Sequence, residues 1–236
     1  MKSAKKLSTP FSPSIGYFNI ENINNLSHLP PHESTPLTET AALGLLETWH
    51  TSSPPKLPPN FSNFSVIETQ ATKPLGKGRP SGGLAFLINN SLIKISSIPH
   101  QSKNTIAVVC TCLHSALVLC YFPPTNIGQE AMQQDLAIIE HIIEQHPNAS
   151  SIIGGDFNAR VGNLGATDED MQLYCPAYRN ASDKTINKRG EELLDFMTQH
   201  DLILANGRFQ GDEEGKFTFH SQQGKAPLIS FSLTQP

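Results

Sequence analysis

The segment from Gln129 to Arg160 constrains the fold more than any other stretch of this chain. Within residues 129–146, apolar side chains at 132, 136, 139 and 143 recur three or four positions apart, which predicts an amphipathic helix. Pro147 and Asn148 end it. An apolar strand follows at Ile152 and runs out into Gly154-Gly155-Asp156-Phe157-Asn158. In a strand, residues two apart share a face, so Asp156 and Asn158 are expected to look into one cavity while Phe157 turns to the core. A carboxylate beside a carboxamide that can donate or accept suits a site for a water or a phosphate oxygen. An Asx-rich turn after a buried strand would use the same residues.

Strand-like and helix-like stretches interleave along the rest of the chain, which argues α/β rather than all-β. Strands are expected at Ile15–Ile20, Ala42–Trp49, Phe64–Thr69, Leu84–Ile88, Thr105–Leu113 and Ala116–Phe122. Pro30, Pro31 and Pro36 argue against a long helix over 28–40. Residues 50–63 read as a Pro- and Ser-rich loop, Lys73–Gly83 as a Gly-, Lys- and Arg-containing loop, and 163–187 as a long loop. Residues 189–200 predict a second amphipathic helix with Leu193, Leu194 and Met197 inward, and short strands are expected at Leu202–Ala205, Lys216–Phe219 and Leu228–Leu233. The simplest division of 236 residues is a disordered polar lead-in over 1–14 and one domain over 15–236.

The formal charge is −4. Binders of duplex DNA draw most of their affinity from Lys and Arg on phosphates, so any nucleic-acid contact here is expected to be local or metal-mediated. Four cysteines, Cys110, Cys112, Cys120 and Cys175, form no CxxC pair; three lie in one apolar strand-like stretch and read as small core residues of an intracellular, reduced protein. Met1–Thr9 is basic without an apolar core, so no signal peptide is read, and no apolar run reaches membrane-spanning length.

Taken in order, several words of this chain resemble the endonuclease/exonuclease/phosphatase superfamily of DNase I-like enzymes. They are most similar to the apurinic-endonuclease-type endonuclease domain of non-LTR (LINE-type) retrotransposons. The words are Phe18-Asn19-Ile20, Leu45-Leu46-Glu47-Thr48-Trp49, Gly78-Arg79-Pro80-Ser81-Gly82-Gly83, Cys120-Tyr121-Phe122-Pro123-Pro124, Gly154-Gly155-Asp156-Phe157-Asn158-Ala159-Arg160, Arg189-Gly190-Glu191-Glu192-Leu193-Leu194, Asn206-Gly207-Arg208 and Phe217-Thr218-Phe219. The resemblance implies a four-layer α/β sandwich, two packed mixed sheets flanked by helices. It implies hydrolysis of DNA phosphodiesters with Mg²⁺, or Mn²⁺ in its place. Glu47 would bind the metal and Asn19 would support metal and phosphate. Tyr121 would donate a hydrogen bond to a phosphate oxygen. Asp156 would orient or deprotonate the attacking water, Asn158 would contact the phosphoryl oxygens, and Thr218 would face the site. The RGEELL and NGR words would be architectural. DNA is the implied substrate, a reverse transcriptase domain the implied companion in a full-length element, and the nucleus a candidate location.

One word departs from the pattern. Ser230 stands where the resemblance expects an Asp that orients other site residues, and a Ser has neither the charge nor the acceptor strength of a carboxylate. The last strands and the closing Asp-His pair of the family are not found among the 236 residues. Two readings follow from the residues: an endonuclease working from the retained groups, or an inactive nuclease-fold remnant with at most a nucleic-acid-binding role. A phosphatase of the same superfamily ranks third, because no word here resembles those enzymes.

Overall fold

The computed structural model describes residues 13–52, 54–75, 77–124, 129–165, 178–209, 211–216, 219–221, 224–226 and 229–232, with side chains described as far as Lys216 except at 129–131. The expected lead-in falls almost wholly outside these residues, as do Thr218 and Cys175.

Two sheets carry the fold. The first contains β1 (Ile15–Asn19), β2 (Ala42–Leu46), β3 (Phe64–Thr69) and β4 (Leu84–Asn89) in the order β1-β2-β4-β3. In it β1 and β2 are parallel, and β4 runs antiparallel to both β2 and β3. The second contains β5 (Ser97–Gln101), β6 (Thr105–Cys110), β7 (Ser115–Tyr121), β8 (Ser150–Asp156), β9 (Ile203–Leu204) and β12 (Ile229–Ser232), ordered β5-β6-β7-β8-β12-β9. Here β7 and β8 are parallel and the other pairs antiparallel. A separate two-stranded sheet pairs β10 (Phe219–Ser221) antiparallel with β11 (Gly224–Ala226). The helices are α1 (Pro31–Thr38), α2 (Gln129–Gln145) and α3 (Lys188–Gln199).

The apolar residues fall into three clusters that define four layers. Leu46, Leu84, Phe86, Ile106, Leu117 and Leu119 fill the space between the sheets. Val118, Ile153, Met132, Ile139, Leu193 and Met197 join the outer face of the second sheet to α2 and α3. Leu43, Leu45, Leu87, Ile23, Leu26 and Phe61 cover the outer face of the first sheet. Alternate residues of one strand feed different clusters, as the two-residue strand period requires. This is the α/β sandwich that the sequence words imply.

The paired glycines before Asp156 have separate causes. At Gly154 an added Cβ would lie 2.4 Å from the Tyr17 ring. Tyr17 is wedged between the sheets, and its hydroxyl donates to the Ile152 carbonyl at 3.2 Å. Gly155 has φ +139 and lies against the Cys120 carbonyl, a conformation and a closeness that a side chain would not tolerate. Gly154→Ala therefore overpacks the inter-sheet layer. It is expected to lower unfolding stability by about 1–3 kcal/mol, measured by urea denaturation, and a loss below experimental error would refute the packing assignment.

The strand and helix expectations agree with the structure at most sites, but the strand expected over Ala42–Trp49 stops at Leu46, Lys216 lies outside the strand expected over Lys216–Phe219, and neither β11 nor β5 was expected. β5 was not anticipated: Ser-Ile-Pro-His-Gln carries few strand formers, and Pro99 is accommodated because β5 is an edge strand with a register shift between Ser97 and His100. The proline-rich 28–40 stretch forms no long helix, but it does form one of eight residues, with Pro31 in the first turn where its missing N–H costs nothing. The expected strand Thr105–Leu113 stops at Cys110; a 3-10 turn over Thr111–Leu113 follows and exposes Cys112, which is therefore not a core residue.

Candidate active site

Four strand ends meet at one rim of the sandwich. Parallel β1 and β2 pair with Asn19 opposite Leu46, so Glu47 is the first residue past the end of β2. Parallel β7 and β8 pair with Tyr121 opposite Asp156. Tyr17, Leu119 and Ile152 all point between the sheets. By strand alternation Asn19, Tyr121 and Asp156 take the same side as these residues, each at a carboxyl end, where α/β sheets bind their ligands.

Glu47 is held rigidly. Its Oε2 accepts the Trp49 indole N–H at 2.8 Å and the Gly82 backbone N–H at 2.9 Å. Glu47 has φ 54 and Trp49 φ 51, a sharp turn pinned by Thr48 N–H to Gly83 carbonyl and Trp49 N–H to Gly82 carbonyl, both 3.1 Å. The Arg79 guanidinium lies 4.4 Å from the centre of the Trp49 ring. The Gly-Arg-Pro-Ser-Gly-Gly stretch, which the sequence offers as a loop and as one of the family-like words, is thus the clamp on a carboxylate. Tyr121 lies beside Glu47, and burial together with the charges of Glu47 and Asp156 pushes its phenol well up, so it stays protonated as a donor.

Asp156 is half-buried. Burial raises its pKa first; the Asn158 backbone N–H opposes this, nearby Glu47 raises it further, and Arg189 lowers it. Its Oδ1 accepts the Asn158 N–H at 3.0 Å, and its carbonyl accepts Phe122 N–H at 2.7 Å. The strand ends here: Asn158 has φ 46, so the alternation expected from sequence does not extend to it. Asn158 spends one amide N–H on the Phe122 carbonyl at 2.8 Å, which leaves a second for a ligand. Phe157 turns to the core and meets the Phe122 ring edge-on at 4.9 Å, as expected. The Asx turn and the candidate pair Asp156 and Asn158 are built from the same bond.

Arg189 is the site residue that sequence reasoning set aside as architectural. It is buried in the first turn of α3, donates from Nη1 to the Pro123 carbonyl at 2.6 Å, and interacts with Asp156, Glu192 and Asp135. Its Nε is buried without a hydrogen-bond partner among the described residues. Asn187 caps the same helix, its Oδ1 accepting Gly190 N–H at 2.8 Å and Arg160 N–H at 3.1 Å, which ties α3 to the loop after Asp156. A signal was available: two cations, Lys188 and Arg189, begin a helix whose dipole disfavours positive charge there.

With this geometry in place, comparison with known proteins is decisive. A family model described as endonuclease-reverse transcriptase matches residues 116–234. The chain belongs to that family. Membership supports phosphodiester hydrolysis in general. Among solved structures, the endonuclease domain of TRAS1, a telomere-specific non-LTR retrotransposon, is 17% identical with TM-score 0.58, covering 91% of this chain and 82% of that one. An AP endonuclease from Archaeoglobus fulgidus is 13% identical with TM-score 0.58, covering 92% and 85%. The 3′ phosphatase NExo from Neisseria, solved with a product DNA hairpin, is 11% identical with TM-score 0.60, again covering 92% and 85%. At these identities the likeness is one of fold. No curated protein matches the sequence.

As a member of the endonuclease-reverse transcriptase family, the chain can be asked whether its rim suits a divalent cation. No group of three or more His, Cys, Asp or Glu gathers among the described residues. Mg²⁺ needs less, one or two carboxylates with water completing its shell. Glu47 and Asn19 offer carboxylate and carboxamide oxygens, and the mutual repulsion of Glu47 and Asp156 is a charge imbalance that a cation would relieve. The donor set therefore fits a hard cation. Ser230 lies on β12 opposite Gly154, two residues before Asp156 on the neighbouring strand; its side chain is outside the described residues.

Proposed function

We propose that this chain is a Mg²⁺-dependent endonuclease domain of non-LTR retrotransposon origin that nicks DNA, with a reverse transcriptase domain as its companion in a full-length element. The observation that carries this reading is the meeting of Glu47, Tyr121 and Asp156 at the carboxyl rim, the Tyr121 phenol held protonated beside the two carboxylates. Glu47 and Asn19 would hold the cation, with Mn²⁺ able to replace Mg²⁺. When bound, the metal supplies charge neutralisation on the phosphoryl oxygens. Asp156 accepts a proton from the attacking water and orients it. Asn158 and Tyr121 present N–H and O–H donors to the oxygens on which charge develops. With no global basic excess, the local cations Arg79 and Lys77 beside the Glu47 clamp would meet the DNA backbone. The location this reading implies is a reduced intracellular one, the nucleus being where the substrate lies.

Supercoiled plasmid tests this directly. Nicking is expected with Mg²⁺, and it should vanish with EDTA and in Glu47→Ala. Cutting that survives both would overturn the assignment. The Ser230 substitution favours a second reading, a nuclease fold that binds DNA without cutting. Folded protein that retains DNA in a gel-shift experiment but never nicks would select it.

A further inference from the structure

A pair of sulfurs lies at the opposite end of the second sheet from the rim. β7 is a seven-residue strand with Ser115 at one end and Tyr121 at the other. At about 3.3 Å per residue, its ends are roughly 20 Å apart. Cys110 closes β6 opposite Ser115. The chain then makes the 3-10 turn over Thr111–Leu113 and reverses through His114, whose φ is 49. The turn folds Cys112 back on Cys110, with the two sulfurs 3.1 Å apart. Cys110 is buried and Cys112 exposed.

The two thiols are chemically unequal. The Lys94 backbone N–H, the Cys110 thiol and the Cys112 backbone N–H all favour a thiolate at Cys112 and hold its pKa below the usual thiol value. Burial, followed by the bond to Cys112, pushes Cys110 up. A solvent-facing thiolate beside a protonated neighbour is the arrangement of an attacking and a resolving cysteine. No third His, Cys, Asp or Glu joins them among the described residues to complete a metal site.

We propose that Cys110 and Cys112 form an oxidisable dithiol that closes to a disulfide under hydroperoxide, with Cys112 attacking and Cys110 resolving. The Cys112 thiolate displaces hydroxide from the peroxide O–O bond, giving a sulfenic acid; the hydroxide takes up a proton and leaves as water. The Cys110 sulfur then attacks the Cys112 sulfur and a second water leaves. In sum two thiols lose two electrons and two protons, and one hydrogen peroxide is reduced to two waters. The modification site is independent of the nuclease reading.

The test uses the full chain carrying Cys175→Ser, treated with hydrogen peroxide and followed by intact and peptide mass. The expected product is two hydrogens lighter, with the link mapped between Cys110 and Cys112 and reversed by dithiothreitol. Iodoacetamide should modify Cys112 at least about tenfold faster than Cys110 or Cys120. Cys110→Ser should stop at a sulfenic acid on Cys112, trapped by dimedone, and the exposed Cys112→Ser should leave neither product. The proposal is overturned if no hydrogens are lost at peroxide levels that oxidise free glutathione. A link to Cys120 or to a second chain, or dimedone capture at a site other than Cys112, overturns it equally.

Discussion

Asp156→Asn is expected to lower the nicking rate roughly 10²- to 10⁴-fold, the usual cost of removing a catalytic base, while leaving the fold in place. The substitution keeps the shape of the side chain. It also keeps an oxygen able to accept the Asn158 N–H, so the turn after β8 need not reorganise. What it removes is the carboxylate that faces Tyr121 and Glu47. Removing that charge also removes its repulsion with Glu47, so the variant should be at least as stable as the parent. A pair of measurements separates chemistry from folding: single-turnover nicking should collapse while the urea midpoint holds or rises. Nicking within a few-fold of the parent would mean that Asp156 is not the group acting on water.

Arg189→Met should destabilise the protein by about 3–5 kcal/mol, the range for taking one partner from a buried charge cluster. Arg189 supplies positive charge to Asp156, Glu192 and Asp135 and anchors the Pro123 carbonyl after β7. Asp135 is buried and bound by the Asn104 amide at 3.2 Å; burial raises its pKa, against Asn104, Lys103 and Arg189. Acids with folded pKa values above their unfolded ones favour folding fully below the unfolded value near 3.9 and lose that contribution as pH rises through the folded value. Without Arg189 the values of Asp135 and Asp156 rise further, so the variant's deficit should be larger at about pH 8 than at about pH 5. Adding Asp135→Asn should recover part of it. Strict additivity of the two substitutions, or a deficit independent of pH, would show that Arg189 acts through packing alone.

Much of this fold was legible because burial on both faces leaves unbroken apolar runs. Leu84–Asn89, Thr105–Cys110 and Ser115–Tyr121 read as strands, and the spacing in α2 reads as a helix with one covered face. β5 was not legible, since an edge strand with one exposed margin tolerates Pro99 and needs little apolar content. At the site, Asp156 was visible as the carboxylate closing a buried strand. The geometry of Asn158 was not, because its left-handed backbone breaks the two-residue alternation one step past the strand. The Glu47 clamp escaped local reading altogether: its partner Gly82 is 35 residues away, and no periodicity encodes a bond across that separation. Arg189 had a local signal in its unfavourable place on α3, but its partners Asp135, Asp156 and Pro123 come from three other segments.

The bond between Trp49 and Glu47 makes the rim optically addressable. The chain has a single tryptophan. Its indole N–H is committed to the carboxylate expected to receive the cation, and its ring face is covered by the Arg79 guanidinium. Emission from that one fluorophore therefore originates at the site itself, with no second indole to dilute it. Ion loading would perturb it through Glu47, and a polyanion that drew Arg79 away would perturb it through the ring. Two steps that precede any bond breaking can thus be followed without a label, in a protein that cuts and equally in one that does not.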